Sequence, residues 1–307
     1  MGIYQIVKSL AIVAFLILPG FIFGKLKICD SHITKGLSSI VINLCIPALI
    51  IDSLQIEFSY NLAQSMFICI LMWTVMIIIA LFIAFAVKKL MNLNKIETAL
   101  VICMLSVPNT GFIGIPLVSS LFGDSSLFYL SLCEIANDIF SYTLVLTLVG
   151  LSTGYKSNVS LKGFVNPPTL SIVLGIFIFV TGIRLPDVLS IPIEYIADCM
   201  TPLAMFIIGA QLSQMKFGEF IGDKRIYILC ILRLLFFPAF AFVLLKVIIG
   251  IDDMFSAVFI LMMGMPAGSL CAIFAENFNG DVPFATKCVM LSNIFCLITI
   301  PLFTMLM

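Results

Sequence analysis

The sequence predicts an all-α integral membrane protein whose ten transmembrane helices form two five-helix inverted repeats, with broken, crossing helices 4 and 9. Three observations support this fold class. Hydrophobic residues make up 62% of the 307 positions and charged residues only 10%, which is more apolar surface than one water-soluble core can bury. Long apolar runs alternate with short polar clusters, and a set of landmarks recurs in the second half of the chain.

The apolar runs are long enough to be helical spans, because a bilayer core of about 30 Å needs about 20 apolar residues per helix. A transmembrane β-barrel would instead show weakly alternating segments of about ten residues. The first run lacks the basic leader and small-residue cleavage site of a signal peptide, so we expect it to remain as a span. The ten predicted spans cover residues 3–23, 34–54, 63–87, 98–122, 126–150, 168–183, 193–212, 227–249, 254–275 and 282–305.

Lysine and arginine are unevenly distributed between the two sides of the predicted topology. Cytoplasmic loops of membrane proteins retain these cations. Only Lys8, Arg184 and Lys246 fall on one side. We therefore predict a multi-pass protein of the cell membrane, with the odd-numbered connections in the cytoplasm and both termini outside. The cations of the odd-numbered connections are Lys25, Lys27, Lys35, Lys88, Lys89, Lys95, Lys156, Lys162, Lys216, Lys224, Arg225 and Lys287.

The two halves of the chain share landmarks at an offset of about 155 to 158 residues. We predict a first repeat at residues 1–150 and a second at 151–307. Because each half holds an odd number of spans, the second copy must enter the membrane from the opposite face. The matched landmarks are Gly24 with Gly182, residues 46–49 with 201–204, Lys88 with Lys246, Pro108 with Pro266, and residues 137–140 with 292–295.

Two matched segments inside predicted spans 4 and 9 cannot be regular helices. Residues 106–116 (SVPNTGFIGIP) and 263–269 (MGMPAGS) place proline, glycine and polar groups at mid-membrane. Proline removes a backbone donor and clashes with the preceding turn, so each helix should break there. Unpaired backbone groups at that depth are tolerated only beside a cavity or within protein. A single break would be an ordinary kink, but paired breaks indicate a binding site.

The breaks predict a site for a small organic anion. Two half-helix N-termini would face one point, and each carries roughly half a positive charge, so their backbone amides could hold a carboxylate. Asn43 in span 2 is deep enough to face the same cavity. The predicted substrate-binding residues are Pro108, Asn109, Thr110, Gly111, Pro266, Ala267, Gly268, Ser269 and Asn43.

Span 5 carries a carboxylate near its centre, at Asp138, where ionised groups are costly. Glu134 and Asn137 lie close to it in the sequence, and Asn293 is its counterpart in the second repeat. One interpretation makes these four residues a site for a coupling proton or sodium ion, since carboxylate and amide oxygens suit hard cations. The other makes them a hydrogen-bonded tie between helices. Arg233 in span 8 could neutralise Asp138, join helices, extend to the membrane interface or contact the substrate.

Other functions have weaker support in the sequence. The chain lacks a Gly-x-Ser-x-Gly motif, a catalytic aspartate pair and a histidine at membrane depth, so we expect no enzyme. The ten cysteines show no metal or redox spacing, and His32 lies in a predicted loop. We expect no cofactor, no resident metal and no nucleic-acid partner. The alternative function is a transporter-like membrane sensor or receptor that binds a small ligand without translocating it, through a partner protein.

Four segments resemble the auxin efflux carrier family, and the likeness covers essentially the whole chain. They are residues 47–49 (PAL), 108–117 (PNTGFIGIPL), 209–212 (GAQL) and 265–268 (MPAG). That family includes plant auxin exporters and bacterial carriers for malonate and related acids, and its fold resembles that of bile acid sodium symporters. Its crossover matches Pro108, Asn109 and Pro266 of this chain.

The resemblance implies a secondary transporter with an elevator-type alternating-access mechanism. Spans 1, 2, 6 and 7 would form a scaffold, spans 3–5 and 8–10 a transport domain, and two chains a homodimer. The sequence departs from the plant members in two places. The connection at residues 151–165 is short, and span 3 has no charged residue near its centre, so auxin itself is not the expected substrate.

Overall fold

The computed structural model describes residues 3–141, 145, 147–148, 167–214, 223–251, 253–277 and 280–306. Within these ranges every named element is helical, and extended pairing is limited to one isolated bridge. The helices are α1 (Ile3–Lys25), α2 (Ser31–Ser53), α3 (Tyr60–Met91), α4 (Lys95–Ser106), α5 (Thr110–Phe122), α6 (Leu127–Phe140), α7 (Pro167–Thr181), α8 (Asp187–Ser213), α9 (Lys224–Ile249), α10 (Met254–Met263), α11 (Leu270–Asn277) and α12 (Val282–Thr304).

The predicted helical character of the apolar runs is confirmed. Five of the described helices, α2, α3, α8, α9 and α12, are long and apolar enough to cross a membrane, and several shorter apolar helices accompany them. Predicted spans 4 and 9 are each divided into two helices, α4 with α5 and α10 with α11. The arrangement of ten spans in two inverted repeats stays a prediction. The repeat boundary at residues 150 and 151, the connection 151–165, Lys156, Lys162 and Lys216 lie outside the described residues.

One predicted boundary is clearly misplaced. Span 7 was expected to begin at residue 193, but α8 already begins at Asp187, directly after Pro186. Proline before the first helical residue fits a helix start, because no intrahelical partner is lost there. Pro192 lies inside the helix, in its early turns, and does not end it. The polar start of α8 therefore hid the first turns of this helix from a prediction based on hydropathy.

Polar caps fix where several helices begin. The Asn94 side chain accepts the backbone N–H of Glu97, and the Glu97 side chain accepts the backbone N–H of Asn94, which together cap α4. Asp253 and Ser256 cap α10 in the same way. Asp223 caps α9, and hydrogen bonds from Arg225 hold the pKa of the Asp223 carboxyl below its usual range. These caps determine the first residues of apolar helices whose apolar sequences alone would not indicate where each helix begins.

The chain divides into two compact units. Unit 1 comprises Met1–Phe67, Gly111–Ile135 and Phe164–Lys216. In it, α1 and α8 pack with almost no space between their backbones. A Cβ atom on Gly20 would lie 1.9 Å from the carbonyl oxygen of Phe206, and one on Gly209 would lie 2.0 Å from that of Ile17. Small residues at such a crossing are typical of helix pairs in membranes.

Unit 2 comprises Ile68–Thr110, Ala136–Gly163 and Phe217–Met307. Its core includes α4, which is buried throughout from Thr98 to Ser106. An ion pair of 2.8 Å between Arg225 and Glu97 joins the starts of α9 and α4. The predicted assignment of a scaffold and a transport domain stays a prediction, and residues 111–135 of predicted spans 4 and 5 belong to unit 1 here.

Candidate functional site

The first helix break lies between α4 and α5. Val107 leaves the helix with extended backbone angles, φ −107° and ψ 95°. In a continuous helix the carbonyl of Leu105 would accept the N–H of Asn109. Here the Asn109 N–H donates to the carbonyl of Pro266 instead, at 2.8 Å. The break therefore leaves the Leu105 carbonyl without its helical partner.

The second break lies between α10 and α11, and it pairs with the first. The N–H of Gly268 donates to the carbonyl of Val107 at 2.8 Å. Together with the bond from Asn109, this forms an antiparallel bridge in which Pro108 lies opposite Ala267. A Cβ atom on Gly268 would lie 3.1 Å from the Val107 oxygen and 3.2 Å from the Pro108 oxygen. We call residues 107–109 and 266–268 the bridge; it lies wholly within unit 2.

Side chains from two further helices bond to the bridge or to Thr110, the residue that follows it. The amide nitrogen of Asn137, on α6, donates to the hydroxyl of Thr110 at 2.9 Å. The hydroxyl of Ser292, on α12, accepts the N–H of Ala267 at 3.1 Å. Asn137 and Ser292 are also the matched positions of the two predicted repeats. Each break is thus fastened by the corresponding polar residue of its own half.

Arg233 on α9 connects the two breaks through its guanidinium group. Its Nε donates to the carbonyl of Met265 at 2.9 Å, and its Nη1 donates to the carbonyl of Leu105 at 2.8 Å. The residue is only 2% exposed, and its Cζ lies 5.4 Å from the centre of the Phe237 ring. The expectation that Arg233 could extend to the membrane interface is therefore wrong, because carbonyls freed by the breaks bind it inside unit 2.

The structure brings together most of the predicted substrate-binding residues. Within unit 2, the bridge unites Pro108, Asn109, Pro266, Ala267 and Gly268, with Thr110 and Ser269 next to it in the chain. The amides of Asn109, Ala267 and Gly268 already donate to protein acceptors. An anion at this point would therefore rely on donors other than these three amides.

The other two predicted residues, Gly111 and Asn43, belong to unit 1. A Cβ atom on Gly111 would lie 3.1 Å from the Glu134 carboxylate. Asn43 is exposed, and its amide donates to the backbone oxygen and the hydroxyl of Ser39, at 2.8 and 3.1 Å. Both of these hydrogen bonds lie within unit 1, and the bridge lies within unit 2.

The four coupling-ion candidates are all buried: Glu134 is 5% exposed, Asn137 4%, Asp138 7% and Asn293 7%. Asn137 accepts a hydrogen bond from Ser141 at 3.4 Å in addition to its bond to Thr110. The amide oxygen of Asn293 is buried and has no hydrogen-bond partner among the described residues. An acceptor in this state suits a cation or a protonated group. No cluster of three or more metal-ligating side chains occurs in the described ranges.

Sequence reasoning missed two features of this site. The bonds of Arg233 depend on where the Leu105 and Met265 carbonyls lie in space, which spacing along the chain does not indicate. The thiols of Cys103 and Cys271 lie 3.0 Å apart, although they are 168 positions apart in sequence. The sequence did carry one signal for the first feature, because a basic residue inside an apolar span needs a partner.

Comparison with known proteins finds membrane transporters. A family model described as membrane transport protein matches residues 5–304. An uncharacterized transporter of Methanocaldococcus jannaschii is 29% identical over 308 residues, covering 95% of this chain and 95% of the relative. An uncharacterized transporter of Methanothermobacter thermautotrophicus is 24% identical over 310 residues, covering 100% of this chain and 99% of the relative. With its interrupted apolar helices and a match over nearly its whole length, the chain belongs to the auxin efflux carrier family of membrane transport proteins.

Proposed function

We propose that this protein is a secondary transporter that moves a small organic anion, a carboxylate, across the cell membrane. The observation that carries the proposal is the bridge, where two helices break at matched positions and bond to each other through their main chains. Discontinuous helices in secondary transporters place backbone dipoles and polar side chains at the substrate site near mid-membrane. The buried Asn109 and Thr110 supply polar groups beside this bridge.

The bridge also supports an arrangement of ten spans as two five-helix inverted repeats. Pro108 and Pro266 occupy the matched breaks, and Asn137 and Ser292 fasten them from matched positions. Two copies of one five-helix unit, inserted in opposite orientations, would place such elements face to face. Both termini would then lie outside the cell, on the side with few Lys and Arg residues.

We further propose an elevator-type alternating-access cycle in a homodimer. An elevator requires two bodies that each hold together separately, and the chain divides into two compact units. Unit 2 contains the bridge and its supporting residues. Most of α1, α2, α7 and α8 belongs to unit 1 and would remain static in the membrane as the scaffold.

Asp138, with Glu134, Asn137 and Asn293, is the proposed site for a coupling proton or sodium ion. All four side chains are buried, and the Asn293 amide oxygen is an acceptor without a hydrogen-bond partner among the described residues. A buried carboxylate in a transporter commonly marks an ion or proton pathway. The coupling role would require that neutralising Asp138 abolish gradient-driven accumulation but permit downhill exchange.

The experiment is uptake of radiolabelled mono- and dicarboxylates into proteoliposomes under imposed proton, sodium or voltage gradients. The unmodified protein should accumulate at least one carboxylate. Asn109→Ala should abolish uptake because it removes the polar side chain beside the bridge, and Asp138→Asn should equilibrate the substrate without accumulating it. Size-exclusion profiles of each purified variant would verify that the protein remains folded.

Three results would contradict parts of this proposal. An unmodified protein that moves no carboxylate under any gradient would exclude the substrate class. Unchanged uptake by Asn109→Ala would remove the bridge from the mechanism. Equal accumulation by the unmodified protein and Asp138→Asn would assign Asp138 to a structural tie between helices.

A further inference from the structure

The guanidinium group of Arg233 is only partly used by the protein. Nε and Nη1 donate to Met265 and Leu105, but Nη2 is buried and has no hydrogen-bond partner among the described residues. Ion pairs between described side chains involve Arg184 and Arg225 but not Arg233. A buried arginine that lacks a carboxylate partner is costly inside a membrane protein and indicates a functional demand for its charge.

The two carbonyls that bind Arg233 also orient its third nitrogen. Leu105 lies in the last turn of α4 and Met265 follows Gly264, the C-cap residue of α10, and helix dipoles carry partial negative charge at these C-terminal ends. The guanidinium is planar and rigid, and its three nitrogens are attached to one carbon, Cζ. The bonds that hold Nε and Nη1 therefore also determine the position of Nη2, beside the bridge. The arginine thus offsets the negative helix ends and leaves an N–H donor pair at the site.

The bridge itself increases the need for such a donor. The amides of Asn109, Ala267 and Gly268 are occupied by protein acceptors, so they do not offer free N–H groups to an anion. Charge-assisted hydrogen bonds from arginine to a carboxylate are about twice as strong as neutral ones. Arg233 is the buried cation at this point of unit 2 within the described residues.

We propose that Arg233 is a substrate-binding residue, whose Nη2 group donates to the carboxylate of the transported anion. This inference rests on the proposed carboxylate site and names the residue that supplies its positive charge. Arg233 has two roles in the proposal. It ties the two breaks together when the site is empty, and it binds the anion through the nitrogen that the protein does not use.

The test measures the thermal unfolding midpoint of the purified protein with malonate, with sulfate and with neutral dimethyl malonate, alongside uptake kinetics. Both anions should raise the Tm of the unmodified protein, and the neutral ester should not. In Arg233→Gln the anion-dependent rise should disappear, and the KM for carboxylate uptake should increase on the order of tenfold or more, with a smaller change in maximal rate.

Arg225→Gln is the matched control, because Arg225 is on the same helix but is paired with Glu97 and Asp223. It should lower the Tm without anion and keep the anion-dependent rise. Arg233→Lys retains a charge without the rigid fork, so it should keep a reduced rise and an intermediate KM. If Arg233→Gln does not fold, Arg233→Lys takes its place in the test. An anion-dependent rise in the Tm of Arg233→Lys that equals the rise in the unmodified protein would then overturn the proposal.

The outcomes separate this inference from the proposed function. An anion-dependent Tm rise that requires Arg233, in a protein that moves no carboxylate, would keep the anion site and reject the proposed substrate class. Carboxylate uptake that is unchanged in Arg233→Gln would keep the transport function and reject Arg233 as a binding residue. The absence of any anion-dependent rise in the unmodified protein would also reject the proposal for Arg233.

Discussion

Gly268 is the residue whose missing side chain allows the two breaks to pair. A Cβ atom there would meet the carbonyl oxygens of Val107 and Pro108 at 3.1 and 3.2 Å. Both atoms belong to the main chain and cannot move aside as a flexible side chain would. The paired bonds of Asn109 and Gly268 would have to lengthen to accept a methyl group.

We therefore predict that Gly268→Ala lowers the free energy of unfolding by about 1–3 kcal/mol, the usual cost of overpacking. Uptake should decrease at the same time, because the substrate site is distorted. Hydrogen exchange should locate the damage, with faster exchange of the Asn109 and residue 268 amides. Unchanged exchange at these two amides would show that the bridge tolerates the extra methyl group.

Single residues also mark the limit of sequence reasoning at this site. The breaks at Pro108 and Pro266 could be predicted because proline cannot donate a backbone hydrogen bond. The partners of Arg233 could not, because they are main-chain carbonyls that any residue type could supply. The role of Asn43 stays a prediction: its depth in the span suggested a place at the bridge, its amide bonds to Ser39 one turn away, and it belongs to unit 1.

The tightest described helix pair in unit 1 is formed by α1 and α8, through Gly20 and Gly209. Their backbones approach so closely that added Cβ atoms would lie within 2.0 Å of carbonyl oxygens. In lipid, where no hydrophobic effect drives helices together, this close packing supplies much of the association energy. Gly36 on α2 is a contrasting helical glycine, because nothing lies within 4 Å of its hypothetical Cβ.

We predict that Gly209→Ala lowers the free energy of unfolding by about 3 kcal/mol or more, since helix backbones must separate to admit the methyl group. Gly36→Ala should be neutral or stabilise the protein by about 0.5–1 kcal/mol, because alanine is the better helix former. Detergent-solubilised protein unfolded by heat or denaturant would give both values. Equal effects of the two substitutions would contradict the close approach of α1 and α8.

Helices were easier to predict than their ends or interruptions. Long apolar runs identify a helix because a helix lets a single segment satisfy all its backbone hydrogen bonds in lipid. The start of α8 was misplaced because Asp187 and Pro192 lower its hydropathy without breaking the helix. The breaks could be predicted in both halves, but the bonds between them could not. These bonds join main-chain atoms, which all residue types share, so the sequence does not indicate the pairing.

For the molecule as a whole, the distribution of Lys and Arg predicts a single orientation in the membrane. With ten crossings and cytoplasmic odd-numbered connections, the C-terminus would lie outside the cell. The connection between α3 and α4, residues 92–94, is flanked by Lys88, Lys89 and Lys95 and would lie in the cytoplasm. Sidedness depends on insertion and not on packing, so reporter fusions can measure it directly.

We predict that alkaline phosphatase fused after residue 306 is active outside the cell and that a fluorescent protein fused there does not mature. Fusions after Asn92, within the connection between α3 and α4, should give the opposite pattern. The two sites serve as controls for each other, because they test opposite sides in one expression system. Matching signals at the two sites would contradict an even number of crossings with this orientation.

The bridge requires one extended segment from each half of the chain. This requirement has an evolutionary consequence. A protein with only the first half would contain Val107 and Asn109 but no Pro266 or Gly268 to pair with them. Two such half-length chains could complete the bridge only by inserting in opposite orientations and associating in the bilayer. If the two predicted repeats arose in this way, fusion of duplicated genes would make the pairing permanent, and matched positions such as Asn137 and Ser292 could then diverge.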